Sequence, residues 1–186
     1  MDKEIHMKKS LIIAVLIVLS LAFSTMAMAR DYAHSLKAEN MDFSWSLDGD
    51  MIHVMVSAKT TGWVGIGFNP SAAMKDANII IGMAKGEKVK IEDHYGNKKR
   101  SHVNDKKDGG TNDLKDLSGY ERDGVTTLIF SIPLDSGDKY DAPIKADGTD
   151  KVILAYGAGR DSLKTRHAYR TTLEVDLKSG KHSEVK

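Results

Sequence analysis

Cysteine is absent from all 186 residues. That excludes a thiol nucleophile, an iron–sulfur cluster, a zinc-thiolate centre and the C-x-x-C-H attachment of a covalent haem. Any metal or haem must therefore be held by His, Met, Tyr or carboxylates, and any haem must be a non-covalent b-type group. With no disulfide to form, the fold must be stabilised by its core alone. A charge excess of either sign is missing too. The formal net charge is +1, and without Lys3, Lys8, Lys9, Asp2 and Glu4 the 27 cations and 26 acids fall to 24 of each. Neither nucleic acid nor an anionic membrane surface is an expected partner for so balanced a chain. No G-x-S-x-G or H-E-x-x-H appears, and no carboxylate pair in a plausible cleft, so no catalytic activity is expected. Internal repeats are absent, and beyond the N-terminal segment no helical stripe of useful length occurs.

The one long apolar run is at the N-terminus. Lys8 and Lys9 precede LIIAVLIVLSLAF, and small residues follow in TMAMA, ending at Ala29. Basic, apolar and small-residue regions in that order, with Ala27 and Ala29 as an A-x-A site, describe a secretory signal peptide over residues 1–29. The uncharged run from Ser10 to Ala29 is almost long enough to span a bilayer, so retention as an anchor is the alternative. Cleavage leaves a domain over residues 30–178 and a polar tail over 179–186, exported to the periplasm or the extracellular space. The mature chain then carries no membrane span.

Beyond Arg30, period-two alternation dominates. Phe43, Trp45 and Leu47 alternate with serines, DGD turns the chain, and Ile52, Val54 and Val56 alternate with His53, Met55 and Ser57. That pattern predicts a hairpin of half-buried strands. WVGIGF, NIIIGMA, KVKIEDHY, TTLIFSIP, KVILAYGAG and RTTLEVDL supply further strands, rich in β-branched residues. Asn97 to Gly124 is nearly all polar and reads as a long loop with one short strand near Arg100 to Val103. The tail after Leu177 reads as frayed. The prediction is all-β, an antiparallel sandwich; a closed barrel would give the same pattern.

GWVGIGFNPSAAMKDANIIIG places a large thioether, Met74, in an otherwise polar loop. It either fills a gap in the core or holds a ligand. That stretch, with the D-x-Y of EDHYG, LIFSIPLDSGDKYDAP, and VILAYGAG followed by KTRHAYR, resembles the DOMON domain family. The family includes the haem-binding cytochrome domain of cellobiose dehydrogenase and relatives of the haem subunit of ethylbenzene dehydrogenase. The resemblance spans Gly62 to Arg170. It implies an immunoglobulin-like antiparallel β-sandwich of about eight to eleven strands. It also implies a non-covalent b-type haem (haem b) ligated by Met74 and His167, used for electron transfer with a redox partner protein. Thioether and imidazole together suit such an iron centre. The chain departs from the family at Asn78, where the loop usually has Asp. Arg166, Arg170 and Lys75 flank the two ligand positions and suit haem propionates.

Other family members bind sugars, so a carbohydrate- or other ligand-binding module without redox activity is the alternative, taking a small-molecule ligand. Trp45, Trp63, Tyr95 and Tyr156 are its candidate stacking platform. A third reading is a metal site using His53 and Met55, which share one strand face. Asp108, Asn112, Asp113, Asp116 and Asp123 could bind calcium, although DGGTND is not an EF-hand loop and a solvated loop is the simpler reading. His94 and His102 read as surface residues.

Overall fold

The computed structural model describes residues 30–185; the expected signal segment lies outside the described residues. Among the described residues, regular structure is all strand apart from one 3-10 turn. In chain order the strands are β1 (His34–Ala38), β2 (Met41–Asp48), β3 (Met51–Ala58), β4 (Val64–Phe68), β5 (Asn78–Lys85), β6 (Lys88–Lys98) and β7 (Ser101–Asn104). The 3-10 turn Asp105–Lys107 follows, then β8 (Lys115–Arg122), β9 (Val125–Pro133), β10 (Thr149–Gly157), β11 (His167–Asp176) and β12 (His182–Glu184). Two antiparallel sheets result, one ordered β1-β2-β3-β9-β8 and the other β12-β11-β10-β4-β5-β6-β7. They form the expected β-sandwich rather than a closed barrel.

The hairpin of β2 and β3 shows how the pattern becomes structure. Asp48 pairs with Met51, and Gly49 takes φ +58° at the turn between them, a conformation glycine adopts without Cβ strain. Ile52, Val54, Val56 and Ala58 then face inward while Met51, His53, Met55 and Ser57 alternate outward. Phe43 stacks on Trp45 at 4.5 Å and meets Phe68 of the opposite sheet edge-on at 6.4 Å. All three rings are fully buried and join the two sheets.

Several edge elements differ from expectation. The polar stretch from Asn97 to Gly124 holds the expected short strand, as β7, but also the 3-10 turn and a second strand, β8. β8 carries almost no apolar pattern because it is an edge strand, held to β9 by backbone pairing with its first four residues exposed. The tail does not fray either. Asp176 caps a turn through the N–H groups of Lys178 and Ser179. The chain then returns as β12 along β11. Leu177 is buried, and its carbonyl accepts the Trp45 indole N–H at 2.8 Å.

β4 and most of β5 are buried on both faces. Their inward residues Val64, Ile66, Phe68 and Ile80 belong to the core. Their outward residues are covered by something else, and there the candidate site begins.

Candidate functional site

Strand pairing aligns outward-facing residues in two rows across the seven-stranded sheet. One runs Arg170, Ala155, Gly65, Ile81, Glu92, and the other Thr172, Ile153, Gly67, Ile79, His94. The middle of each row is a glycine, flanked by Ala155 and Ile81 in the first row and by Ile153 and Ile79 in the second. A Cβ at Gly67 would lie 2.8 Å from the Ile153 side chain and 3.1 Å from Ile79, so those two side chains lean over it. At Gly65 the nearest atom would be 3.5 Å away. A cavity of about 810 Å³ lies over this apolar floor, within the range of cofactor and small-molecule sites.

Met74 stands in one wall. Its loop closes as a tight turn, with Lys75 N–H donating to Ala72 O (3.0 Å) and Ser71 N–H to Lys75 O (2.8 Å). Ala73 and Asp76 both have positive φ, +55° and +64°. The Ser71 hydroxyl bonds the Asp76 carboxylate and, with Lys75 beside it, holds that carboxyl below its usual range. The loop is fastened to β6 by Asp76 N–H to Gly96 O (2.7 Å) and Gly96 N–H to Ala77 O (2.9 Å). A Cβ at Gly96 would collide with the Met74 carbonyl. Only glycine at 96 lets the Met74 backbone come this close.

His167 is the first residue of β11, opposite Gly157 where the register shifts. It is half-buried, as is Met74. Arg170 donates a long contact of 3.4 Å to His167 Nε2. Both proposed ligands line the cavity, although 93 positions separate them in the chain. A second cavity of about 840 Å³ also has Met74, Arg100, Ile153, Ala155, Arg166 and His167 in its wall. Met74 and His167 thus stand at the boundary between the two spaces.

The rim is cationic. Arg100 and Arg166 line both cavities, and Lys99 and Arg170 the second. Among the described residues no carboxylate pairs with any of these four. Lys75 is different: it is exposed, pairs with Asp76 at 3.5 Å and lines neither cavity.

Two residues that read as surface histidines belong to the cavity wall. His94 is only 8% exposed and His102 is half-buried. Their Nδ1 atoms are 2.8 Å apart, and His94 Nε2 lies 2.8 Å from Glu92 Oε2. With His94 donating to Glu92 and accepting from His102, the bonded ring nitrogens are satisfied with both rings neutral. Burial pushes His102 down to about 4, helped by His94, and burial also lowers His94 against the pull of Glu92. The signal was present in the sequence. His94 alternates with Glu92 on one face of β6, and β5 next to it is apolar on both faces.

The other candidates do not assemble. Trp45 is sealed inside the sandwich, Trp63 lies in the cavity wall bonded to Thr165, Tyr95 stacks on Tyr140 and Tyr156 on Tyr169. These four form no common stacking platform. His53 Nδ1 is bonded to the Ser131 hydroxyl at 2.7 Å. Asp108 accepts the Tyr95 hydroxyl, Asn112 the Leu114 N–H, Asp113 the Thr111 hydroxyl and Asp116 the Ser131 hydroxyl. Asp123 sits at the positive-φ turn before β9.

A family model, the DOMON domain, matches residues 37–157. Human DBH-like monooxygenase protein 1 is 29% identical over 136 residues, which are 72% of this chain and 21% of that protein. The mouse protein of the same name is 28% identical over 112 residues, 60% of this chain and 18% of that one. The match therefore spans about a fifth of the length of these curated relatives. Among solved structures, the cytochrome b domain of pyranose dehydrogenase from Coprinopsis cinerea is similar with a TM-score of 0.59 at 12% identity. That match covers 78% of this chain and 82% of that one. The cytochrome domain of Myriococcum thermophilum cellobiose dehydrogenase gives a TM-score of 0.48 at 9% identity, over 74% and 78%.

Proposed function

Because this chain belongs to the DOMON domain family, we propose that it binds a non-covalent b-type haem for electron transfer, with Met74 and His167 as the axial ligands. The observation that carries the reading is that these two residues, far apart in sequence, line one cavity with an apolar floor and a cationic rim. Likeness of fold to the pyranose dehydrogenase domain, a cytochrome b domain, supports it.

The donor set fits. Met74 offers a soft thioether and His167 an imidazole, and no thiolate competes. Haem bound there supplies a reversible one-electron couple. The chain's own residues do the rest. Ile79, Ile81 and Ile153 exclude water from the floor, with Ile79 and Ile153 closing over Gly67, while Gly65 leaves room above the sheet. Arg100 and Arg166 are placed to pair with carboxylates at the rim. Gly96 and the turn at Ala72–Lys75 hold Met74 in place. In this reading the chain passes electrons to a partner and turns over no substrate; the relatives named as monooxygenases share only about a fifth of their length with it. Export rests on the signal-like residues 1–29. No helix among the described residues is long and apolar enough to cross a membrane.

Purified protein reconstituted with haem and desalted is expected to retain a Soret band and a sharp low-spin reduced spectrum. Met74→Ala and His167→Ala are each expected to lose the low-spin form. Wild-type protein that elutes colourless would overturn the reading.

A further inference from the structure

On the other side of β6 from the proposed haem cavity, three aspartates meet. Asp93 comes from β6, Asp105 from the 3-10 turn after β7, and Asp141 from the loop after β9. One carboxylate oxygen of each lies within 4.8 Å of the other two. Asp105 is fully buried, Asp93 is 1% exposed and Asp141 7%. Among the described residues no Lys, Arg or His pairs with any of them.

Their hydrogen bonds cover only part of what they offer. The Asp113 N–H donates to one oxygen of Asp93 (3.0 Å), and the Ser136 hydroxyl to one oxygen of Asp141 (2.8 Å). The remaining oxygen of each is buried and receives no N–H or hydroxyl donor, and neither do the oxygens of Asp105, whose carboxyl lies against that of Asp141. An unpaired buried carboxylate is among the costliest things a core can hold. A second orphan lies on the adjacent strand. Asn78 pairs with Tyr95 and Ile80 with Asp93, so Asn78 and Asp93 share the inner face of adjacent strands. Asn78 is 2% exposed, and its Oδ1 also has no partner.

We propose that Asp93, Asp105 and Asp141, with the unpartnered Asn78 on the same face of the next strand, form a buried site for a hard divalent cation of the calcium class. All the donors are oxygens, which excludes the softer metals that prefer nitrogen and sulfur. The neighbouring His94 points to the opposite face of β6. The ligands come from a strand, a turn and an irregular loop, a set that suits the loose coordination of calcium by six to eight oxygens better than the strict octahedron of magnesium. Without a cation the site favours protons. Burial first, then the charges of Asp141, Asp113 and Asp138, push Asp93 up to about 7. Burial and neighbouring carboxylates raise Asp105 and Asp141 as well. A bound cation replaces those protons and ties the 3-10 turn and the loop after β9 to β6.

The test uses the full chain, freed of metal by a chelator, with calcium chloride alone as the probe at pH 7.5 and no haem. Calorimetry is expected to show one calcium per chain, and the unfolding temperature is expected to rise with calcium concentration as linkage requires. Proteolysis between residues 105 and 114 should slow. Asp105→Asn should lose the calcium-dependent shift, and Asp141→Asn provides the same reading should Asp105→Asn not fold. Wild-type protein with no calorimetric signal and an unmoved unfolding temperature at millimolar calcium would overturn the site. Magnesium matching calcium in affinity would overturn the calcium class. Neither result touches the haem reading, which concerns the opposite face of the strand.

Discussion

His102 shows how burial, helped by a neighbouring histidine, can make one residue a pH sensor. Its folded-state value lies near 4, against an ordinary 6.5. The neutral ring is therefore what the fold accepts. The sign follows: the unfolded chain takes up the proton first, so stability is full above about pH 6.5 and is lost as pH falls toward about 4. At about 1.4 kcal/mol per unit, the loss across that window is a few kcal/mol at most. Replacing His102 with Gln, which keeps a side-chain donor, should flatten this part of the pH profile. Denaturant midpoints of the two proteins from pH 4 to pH 7 check it, and parallel profiles would rule the account out. Met74 and His167 could be singled out in the sequence because their segments carry a family pattern. For His94 and His102 the signal was only indirect, the apolar strand β5 beside them, because a polar residue on a covered strand face looks the same as one facing water.

At the level of single elements, the loop from Asn69 to Ala77 is positioned by its neighbour more than by itself. Gly96 supplies both an acceptor and a donor to it, and its missing side chain is what the Met74 carbonyl occupies. Gly96→Ala must push the loop outward, at about 1–3 kcal/mol for a forced overlap in a packed region. The expected result is a haem-loaded protein with weakened or lost low-spin character although both ligands are intact. Visible spectra at matched loading decide it, and an unchanged spectrum would mean the loop is placed by other contacts. The alternating strands β2 and β3 could be read from the sequence because each has one face less buried than the other. β8 and β12 could not: they are held mainly by backbone pairing, which leaves no trace in residue type.

The whole molecule rests on a core without covalent reinforcement. Phe43, Trp45 and Phe68 bridge the sheets and are fully buried. Phe43→Ala should cost about 3–5 kcal/mol, which for a domain of this size lowers the unfolding temperature by about 6–20 °C at about 2–4 °C per kcal/mol. Thermal scans followed by circular dichroism measure it, and a loss of less than about 1 kcal/mol would show that the sheets do not depend on this ring stack. The all-β class was readable from strand spacing, and the choice of sandwich over barrel from the family resemblance. The meeting of Asp93, Asp105 and Asp141 was not, since they lie in three segments that only the folded topology brings together.

The chain has two tryptophans, and the seven-stranded sheet separates them. Trp45 is sealed between the sheets, while Trp63 stands in the cavity wall. The molecule thus carries two built-in fluorophores with different views. The emission of one follows the integrity of the interior, and that of the other follows whatever enters the cavity. A light-absorbing occupant would dim the second more than the first, so a single emission spectrum can separate loss of cargo from loss of fold.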